Sequence, residues 1–134
     1  MSLPKLRVLI VDDNPSDRAI ARAMMFRLKP AFVHEAENGA VAEGKLQTGL
    51  EISKPYNLLI LDWNMPGTNG LKLLQVIRGH YQLKNIKVIV MTATAAREVV
   101  EAAIKNGADD FVVKPLDSKL LVQKVEKLYQ SQSA

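Results

Sequence analysis

An α/β architecture, with five parallel strands covered by helices on both faces in the strand order 2-1-3-4-5, is what this 134-residue sequence predicts. Three observations lead there. Short apolar runs and helix-period segments alternate five times along the chain, as in a doubly wound sheet with right-handed crossovers. The run Leu58-Leu59-Ile60-Leu61 is apolar at every position and then stops at Asp62, as a strand buried on both faces does. The segment Ala31-Phe32-Val33-His34-Glu35-Ala36 is more polar than its counterparts and belongs at a sheet edge, which gives the flavodoxin-like order.

The elements follow in order. Lys5–Val11 reads as the first buried strand, ended by Asp12-Asp13-Asn14-Pro15, with Asn14 as helix N-cap and Pro15 in the first helical position. The helix after it places Ile20, Met24 and Leu28 four apart as a core-facing stripe, and Lys29-Pro30 ends it. Ala31–Ala36 is the second strand. Asn38-Gly39 turns into a helix near Ala40–Leu46, with Gly49 as its terminator, and Glu51–Tyr56 is a loop. After the central strand, Pro66-Gly67-Thr68-Asn69-Gly70 makes a turn. Leu71, Leu73, Leu74 and Ile77 then have helical periodicity. Ile86–Met91 is a strand stopping at Thr92, Ala95–Asn106 a helix closed by Gly107 in a left-handed conformation, and Asp110–Val113 a short last strand before Lys114-Pro115. Asp117 or Ser118 caps a final helix with Leu121, Val125 and Leu128 on one face, and Gln130–Ala134 is a frayed tail.

The length suits one domain over residues 1–134, and a hydrophobic fraction of 48% puts the chain among globular proteins. With no cysteine, disulfides, thiolate nucleophiles and cysteine-type zinc clusters are excluded. No apolar run approaches membrane-spanning length and no signal-peptide pattern opens the chain, so the expectation is a cytoplasmic protein without a membrane partner. The net charge of +4 is scattered, with no basic stripe or aromatic platform for direct nucleic-acid binding. Several acids fall within the motifs below, which leaves the remaining surface more basic, as an acidic protein partner would favour.

The predicted topology brings four strand ends to one edge, carrying Asp12 and Asp13, Asp62, Thr92 and Lys114. Each alone is better explained by a helix cap or a solvated charge. Their convergence is what points to a ligand site, since open α/β sheets bind ligands beyond the carboxyl ends of their strands. Two carboxylates about 4 Å apart repel by roughly 4 kcal/mol at an effective dielectric near 20. One lysine cannot offset three acids, whereas a divalent ion can. All-oxygen donors without His or Cys suit Mg²⁺. Carboxylates, Mg²⁺, a hydroxyl and a lysine suit phosphoryl transfer, in which an Asp can itself be the nucleophile.

Val11-Asp12-Asp13, Asp62-Trp63-Asn64-Met65-Pro66, Met91-Thr92-Ala93 and Phe111-Val112-Val113-Lys114-Pro115 together resemble the response-regulator receiver family, over nearly the whole chain. That resemblance implies that Asp62 accepts a phosphoryl group from a sensor histidine kinase or a phosphotransfer protein. Asp13, Asp62 and the Asn64 carbonyl would ligate Mg²⁺, with Asp12 acting through water. Thr92, the Ala93 amide and Lys114 would receive phosphoryl oxygens, and the Lys114–Pro115 bond would be cis. Thr92 and Phe111 would switch an output face made by helix 4, strand 5 and helix 5. Asn64 and Thr94 occupy the positions that tune self-dephosphorylation, which with self-phosphorylation is the only catalysis expected of such a signalling domain. The stretch before strand 3 is several residues longer than in the compact pattern, and Phe111 lacks the hydroxyl many relatives carry there.

Two other classes share the architecture. An FMN-binding flavodoxin-like electron carrier needs a phosphate-cradling loop after the first strand, where Asp12-Asp13 would repel it. A Mg²⁺-dependent aspartyl-phosphate phosphatase usually has a second acid where Asn64 stands, and a cap domain. Elsewhere, His34 and His80 read as surface groups without ligand-spaced partners. Met24, Met25 and Met91 read as core filler, and Trp63 as a partly exposed neighbour of the acceptor.

Overall fold

Alternate residues of the central strand face opposite cores. The computed structural model describes residues 3–65 and 70–130; Pro66, Gly67, Thr68 and Asn69 of the expected turn and Ser131–Ala134 of the expected tail lie outside them. The strands are β1 (Arg7–Val11), β2 (Phe32–Ala36), β3 (Leu58–Asp62), β4 (Lys87–Thr92) and β5 (Asp110–Val113). The helices are α1 (Pro15–Met25), α2 (Gly39–Glu51), α3 (Gly70–Gly79), α4 (Arg97–Lys105) and α5 (Ser118–Gln130), with a 3₁₀ turn at Phe26–Leu28. All pairings are parallel in the order β2-β1-β3-β4-β5, with the polar strand at the edge.

Leu59 and Leu61 of β3 pack with Leu9, Val11, Val88 and Val90 against α2, α3 and α4 through Leu46, Leu73, Leu74, Ile77 and Ala103. Leu58 and Ile60 pack with Val8, Ile10, Ile89 and Met91 against α1 and α5 through Ala21, Met25, Leu121, Val125 and Tyr129. The period of two in each strand therefore feeds two separate cores, which is why the strand sequences are continuously apolar. Met25 and Met91 fill the second core as expected, and Met24 lies half-buried beside it.

Helix details depart from the sequence expectation where size outweighs hydropathy. In α1 the face toward the sheet is Ala21 and Met25, while Ile20 is 46% exposed and Leu28 lies past the helix in the 3₁₀ turn. A small residue lets a helix approach the sheet closely, and a hydropathy pattern passes over it. In α5 the inner row ends at buried Tyr129, whose hydroxyl donates to the Asn57 carbonyl at 2.8 Å; Leu128 is half-buried. Asp117, not Ser118, caps this helix by accepting from the Leu120 amide at 3.0 Å. Helix α4 starts two residues later than expected, because the Thr94 hydroxyl takes the Ala96 amide at 3.0 Å and holds the preceding segment as a loop.

Gly49 does not end α2. It sits inside that helix, and a Cβ there would lie 3.1 Å from the Lys54 carbonyl and 3.4 Å from the Tyr56 ring. The helix runs on to Glu51, and Ser53 turns the chain back with φ of 58°. The long stretch before β3 thus extends α2 and folds Tyr56 beneath it. His34 is a surface residue, as expected; its Nδ1 meets the Tyr56 hydroxyl at 2.6 Å and its ring stacks on Phe32. His80 accepts the Gln82 amide on Nδ1 at 3.1 Å.

At the end of the sheet away from Asp62, Arg78 at the close of α3 uses all five of its N–H donors. They reach the carbonyls of Gly107 (2.9 and 2.7 Å), Lys84 (2.8 Å) and Ile86 (2.6 Å) and the Asp109 carboxylate (3.0 Å). Asp109 in turn accepts the Val88 amide at 2.8 Å. Gly107 has the expected left-handed conformation, φ 108°, and a Cβ there would come within 2.8 Å of the Arg78 side chain.

Candidate functional site

The sheet order gathers the predicted residues at one edge. Asp12 directly follows β1 and is fully buried, Asp62 ends β3 and is 4% exposed, and Asp13 faces solvent. Oxygens from these three carboxylates all lie within 4.8 Å of one another. Asp12 is fixed by the Asn14 amide at 2.9 Å on Oδ1, and Asp62 by the Asn64 amide at 3.1 Å. Each of these bonds spans two residues, the local Asx geometry that Asp favours where a strand gives way to a turn.

Lys114 follows β5 and reaches across the cluster. Its amide donates to the Thr92 carbonyl at 2.8 Å, and its peptide bond to Pro115 is cis, as expected. The ammonium lies 2.7 Å from Asp12 Oδ2, 2.9 Å from Asp17 Oδ2 and 3.5 Å from Asp62 Oδ2. Burial alone would lower the lysine pKa. The hydrogen bonds to Asp12 and Asp17 and the Asp62 charge outweigh it and hold the group firmly protonated.

Asp62 is pushed the other way. Burial and the neighbouring Asp12 charge raise its pKa to about 6, against the opposing pull of the Asn64 amide and of Lys114. This carboxylate is short of compensating charge. The donor set fits a hard divalent cation: three carboxylates converge, no His or Cys intervenes, and one ammonium leaves them underneutralised.

Thr92 is buried at the end of β4, with its hydroxyl engaged by Thr94: it donates to the Thr94 carbonyl at 3.0 Å and accepts the Thr94 amide at 3.2 Å. Ala93 and Asn64 are exposed beside the cluster. Trp63 is partly buried against the first core, as expected. Helix α3 begins tight against this segment, since a Cβ on Gly70 would lie 2.7 Å from the Asp62 carbonyl oxygen. Phe111 on β5 is half-buried, with Lys124 Nζ 4.9 Å from its ring centroid.

Two residues of the site were missed. Asp17 stands in the first turn of α1, where its amide donates to the N-cap Asn14 at 3.0 Å. With Asn14 capping and Pro15 opening the helix, an acid at that place in the first turn is a legible signal, because such side chains turn back toward the helix start. Arg18 donates to the Asp12 carbonyl at 2.6 Å and pairs with Glu35 at 3.2 Å, tying the β1 end to the edge strand. A groove of about 690 Å³, lined by residues including Phe32, His34, Lys45, Ile52 and Tyr56, lies along α2 and β2, away from the carboxylates.

The family model described as response regulator receiver domain matches residues 8–126. The chain is 34% identical over 125 residues to a chemotaxis protein CheY of Pseudomonas aeruginosa, covering 93% of this chain and 97% of that protein. It is 33% identical to CheY-3 of Vibrio cholerae, covering 93% and 92%. Among solved structures, V. cholerae CheY4 superposes with a TM-score of 0.82 at 24% identity over 92% of this chain and 98% of that one, a likeness of fold. The signal receiver domain of a histidine kinase from Syntrophus aciditrophicus gives 0.78 at 27% identity, covering 94% and 91%.

Proposed function

The chain belongs to the response regulator receiver domain family of two-component signal transduction, and from that premise we propose that Asp62 is its phosphoacceptor. The donor would be the phosphohistidine of a sensor kinase or phosphotransfer protein. The observation that carries the reading is the buried Asp62 carboxylate, with Lys114 3.5 Å away and Asp12 and Asp13 beside it. Mg²⁺, held by Asp13, Asp62 and the Asn64 carbonyl with Asp12 acting through water, would neutralise charge on the transferring phosphoryl oxygens.

The protein's own groups do the rest. An Asp62 oxygen attacks phosphorus, the P–O bond forms as the P–N bond breaks, and the histidine nitrogen leaves and takes up a proton. Lys114 pairs with a phosphoryl oxygen, and the Ala93 amide can receive another. Thr92 must release Thr94 before its hydroxyl can turn to the phosphoryl group. That movement opens space for Phe111 to turn inward, away from Lys124. The surface so remodelled is the α4–β5–α5 face, where Ile104 and Leu120 stand exposed for an output protein.

Among the described residues no helix is long and apolar enough to cross a membrane. Receiver domains are signalling modules, so any catalysis here is self-phosphorylation from small donors and self-dephosphorylation, with Asn64 and Thr94 placed to tune the latter. Neither the flavin carrier nor the phosphatase alternative is favoured. The test is intact mass after incubation with acetyl phosphate and Mg²⁺: one phosphoryl group is expected on the parent and none on Asp62→Asn. A variant modified at the parent's rate would exclude Asp62 as the acceptor.

A further inference from the structure

Asp17 has no role in the chemistry above, yet it is bound into the site. Its Oδ2 is 2.9 Å from the Lys114 ammonium, nearly as close as Asp12 at 2.7 Å and closer than Asp62 at 3.5 Å. An ammonium has three donors, and here three carboxylates surround it. Two of them, Asp12 and Asp62, belong to the cluster whose oxygens lie within 4.8 Å and could hold a cation; Asp17 stands outside it. Its placement is fixed by the backbone, since its amide is tied to the Asn14 side chain in the first turn of α1.

Lys114 and a divalent cation therefore compete for the same carboxylates. Without Asp17, the acceptors left to the ammonium would be Asp12 and Asp62, the groups that a cation also needs. With Asp17 present, the lysine keeps a partner when the cation draws on the other two. We propose that Asp17 is a positioning residue that holds Lys114 to one side of the acidic cluster and so keeps the cluster open to Mg²⁺. The inference rests on reading the site as a Mg²⁺-assisted phosphoacceptor. A plain alternative is that Asp17 only complements the positive end of α1, as first-turn acids do.

A double-mutant cycle separates the two. Mg²⁺ affinity is measured by calorimetry for the parent, Asp17→Asn, Lys114→Met and the double variant, with Asp17→Glu as the conservative replacement. Asp17→Asn should weaken Mg²⁺ binding about three- to tenfold in the parent, within the coupling range of residues sharing one network. In the Lys114→Met background the same change should have less than half that effect on a logarithmic scale, because no lysine remains to be held aside. Asp17→Glu should recover most of the affinity. NMR of the Lys114 side chain in metal-free protein supplies a readout that needs no cation: its resonances should shift in Asp17→Asn and stay near parent values in Asp17→Glu.

Equal losses in both backgrounds would reduce Asp17 to a bulk charge and overturn the proposal. So would parent-like affinity in Asp17→Asn, or Lys114 resonances indifferent to Asp17. A parent that binds no Mg²⁺ would remove the reading of the site and this inference together. A parent that binds while Asp17→Asn binds equally well removes the inference alone.

Discussion

Replacing Asp62 by Asn should make the metal-free protein more stable, although it removes the proposed acceptor. The buried Asp62 carboxylate has its pKa raised from 3.8 to about 6 by burial and by the Asp12 charge. In the folded state it thus holds its proton to higher pH than in the unfolded chain. Between about pH 4 and pH 6 the folded form binds more protons, so stability falls as pH rises through that window and the full penalty is present above it. A shift of roughly two units corresponds to about 3 kcal/mol, with the attraction of Lys114 3.5 Å away already counted in it, and solvent screening trims that figure. Asn keeps the size and can still accept the Asn64 amide. Urea unfolding in EDTA at pH 7.5 should therefore give Asp62→Asn a stability about 1–3 kcal/mol above the parent, with the gap closing toward pH 4. Millimolar Mg²⁺ should narrow it from the other side by stabilising the parent. If the variant in EDTA is no more stable than the parent at pH 7.5, or if the gap persists unchanged at pH 4, the electrostatic reasoning about this cluster is wrong.

Three further outcomes are expected. Gly44→Ala should stabilise by about 0.5–1 kcal/mol, since a helical Cβ there meets nothing within 4 Å, whereas Gly107→Ala should destabilise by about 2–3 kcal/mol through its φ of 108° and the Arg78 side chain; thermal melts decide both. Tyr129 has its pKa raised by burial, so the folded form keeps the phenol proton that the unfolded chain releases above about pH 10, and stability should fall as pH rises beyond that. Tyr129→Phe should cost about 1 kcal/mol at pH 7 by losing the bond to Asn57 and should lessen the alkaline decline, which unfolding curves at pH 7 and pH 10.5 would show. In beryllofluoride-treated protein, Thr92→Ala should abolish the NMR shifts across α4–β5–α5 that the parent shows; matching shifts in the two proteins would break the link between Thr92 and Phe111.

What could be read from the sequence was governed by how each signal is encoded. The β3 run and its terminal Asp62 were plain because a strand buried on both faces needs continuous apolar residues and a polar stop. The strand ends carrying Asp12, Thr92 and Lys114 followed from the same pattern combined with topology. Ile20 misled because periodicity weights large side chains, while contact with the sheet is made by Ala21. Gly49 misled because a helix-ending glycine and one that admits a crossing backbone look alike in one dimension; only the return of Lys54 and Tyr56 separates them. Asp17 was overlooked because its meaning comes from Lys114, 97 residues away. The pairing of His34 with Tyr56 is nonlocal in the same way.

The Arg78 guanidinium gives the sheet a second anchor, at the end opposite the carboxylates. By gripping the loops that lead into β4 and β5, it ties both strands to the close of α3 at the edge opposite Asp62. A strand rises about 3.3 Å per residue, so the six residues of β4 set Thr92 roughly 20 Å from this anchored root, with β3 and β5 paired alongside. Bending at its tip, where Thr92 sits, can be transmitted sideways to β5 and Phe111 without loosening the root. Trimming the root with Arg78→Lys would leave one donor group in place of a five-pronged fork. Such a protein should hold the same resting shape while its opposite face responds less sharply to events at the tip.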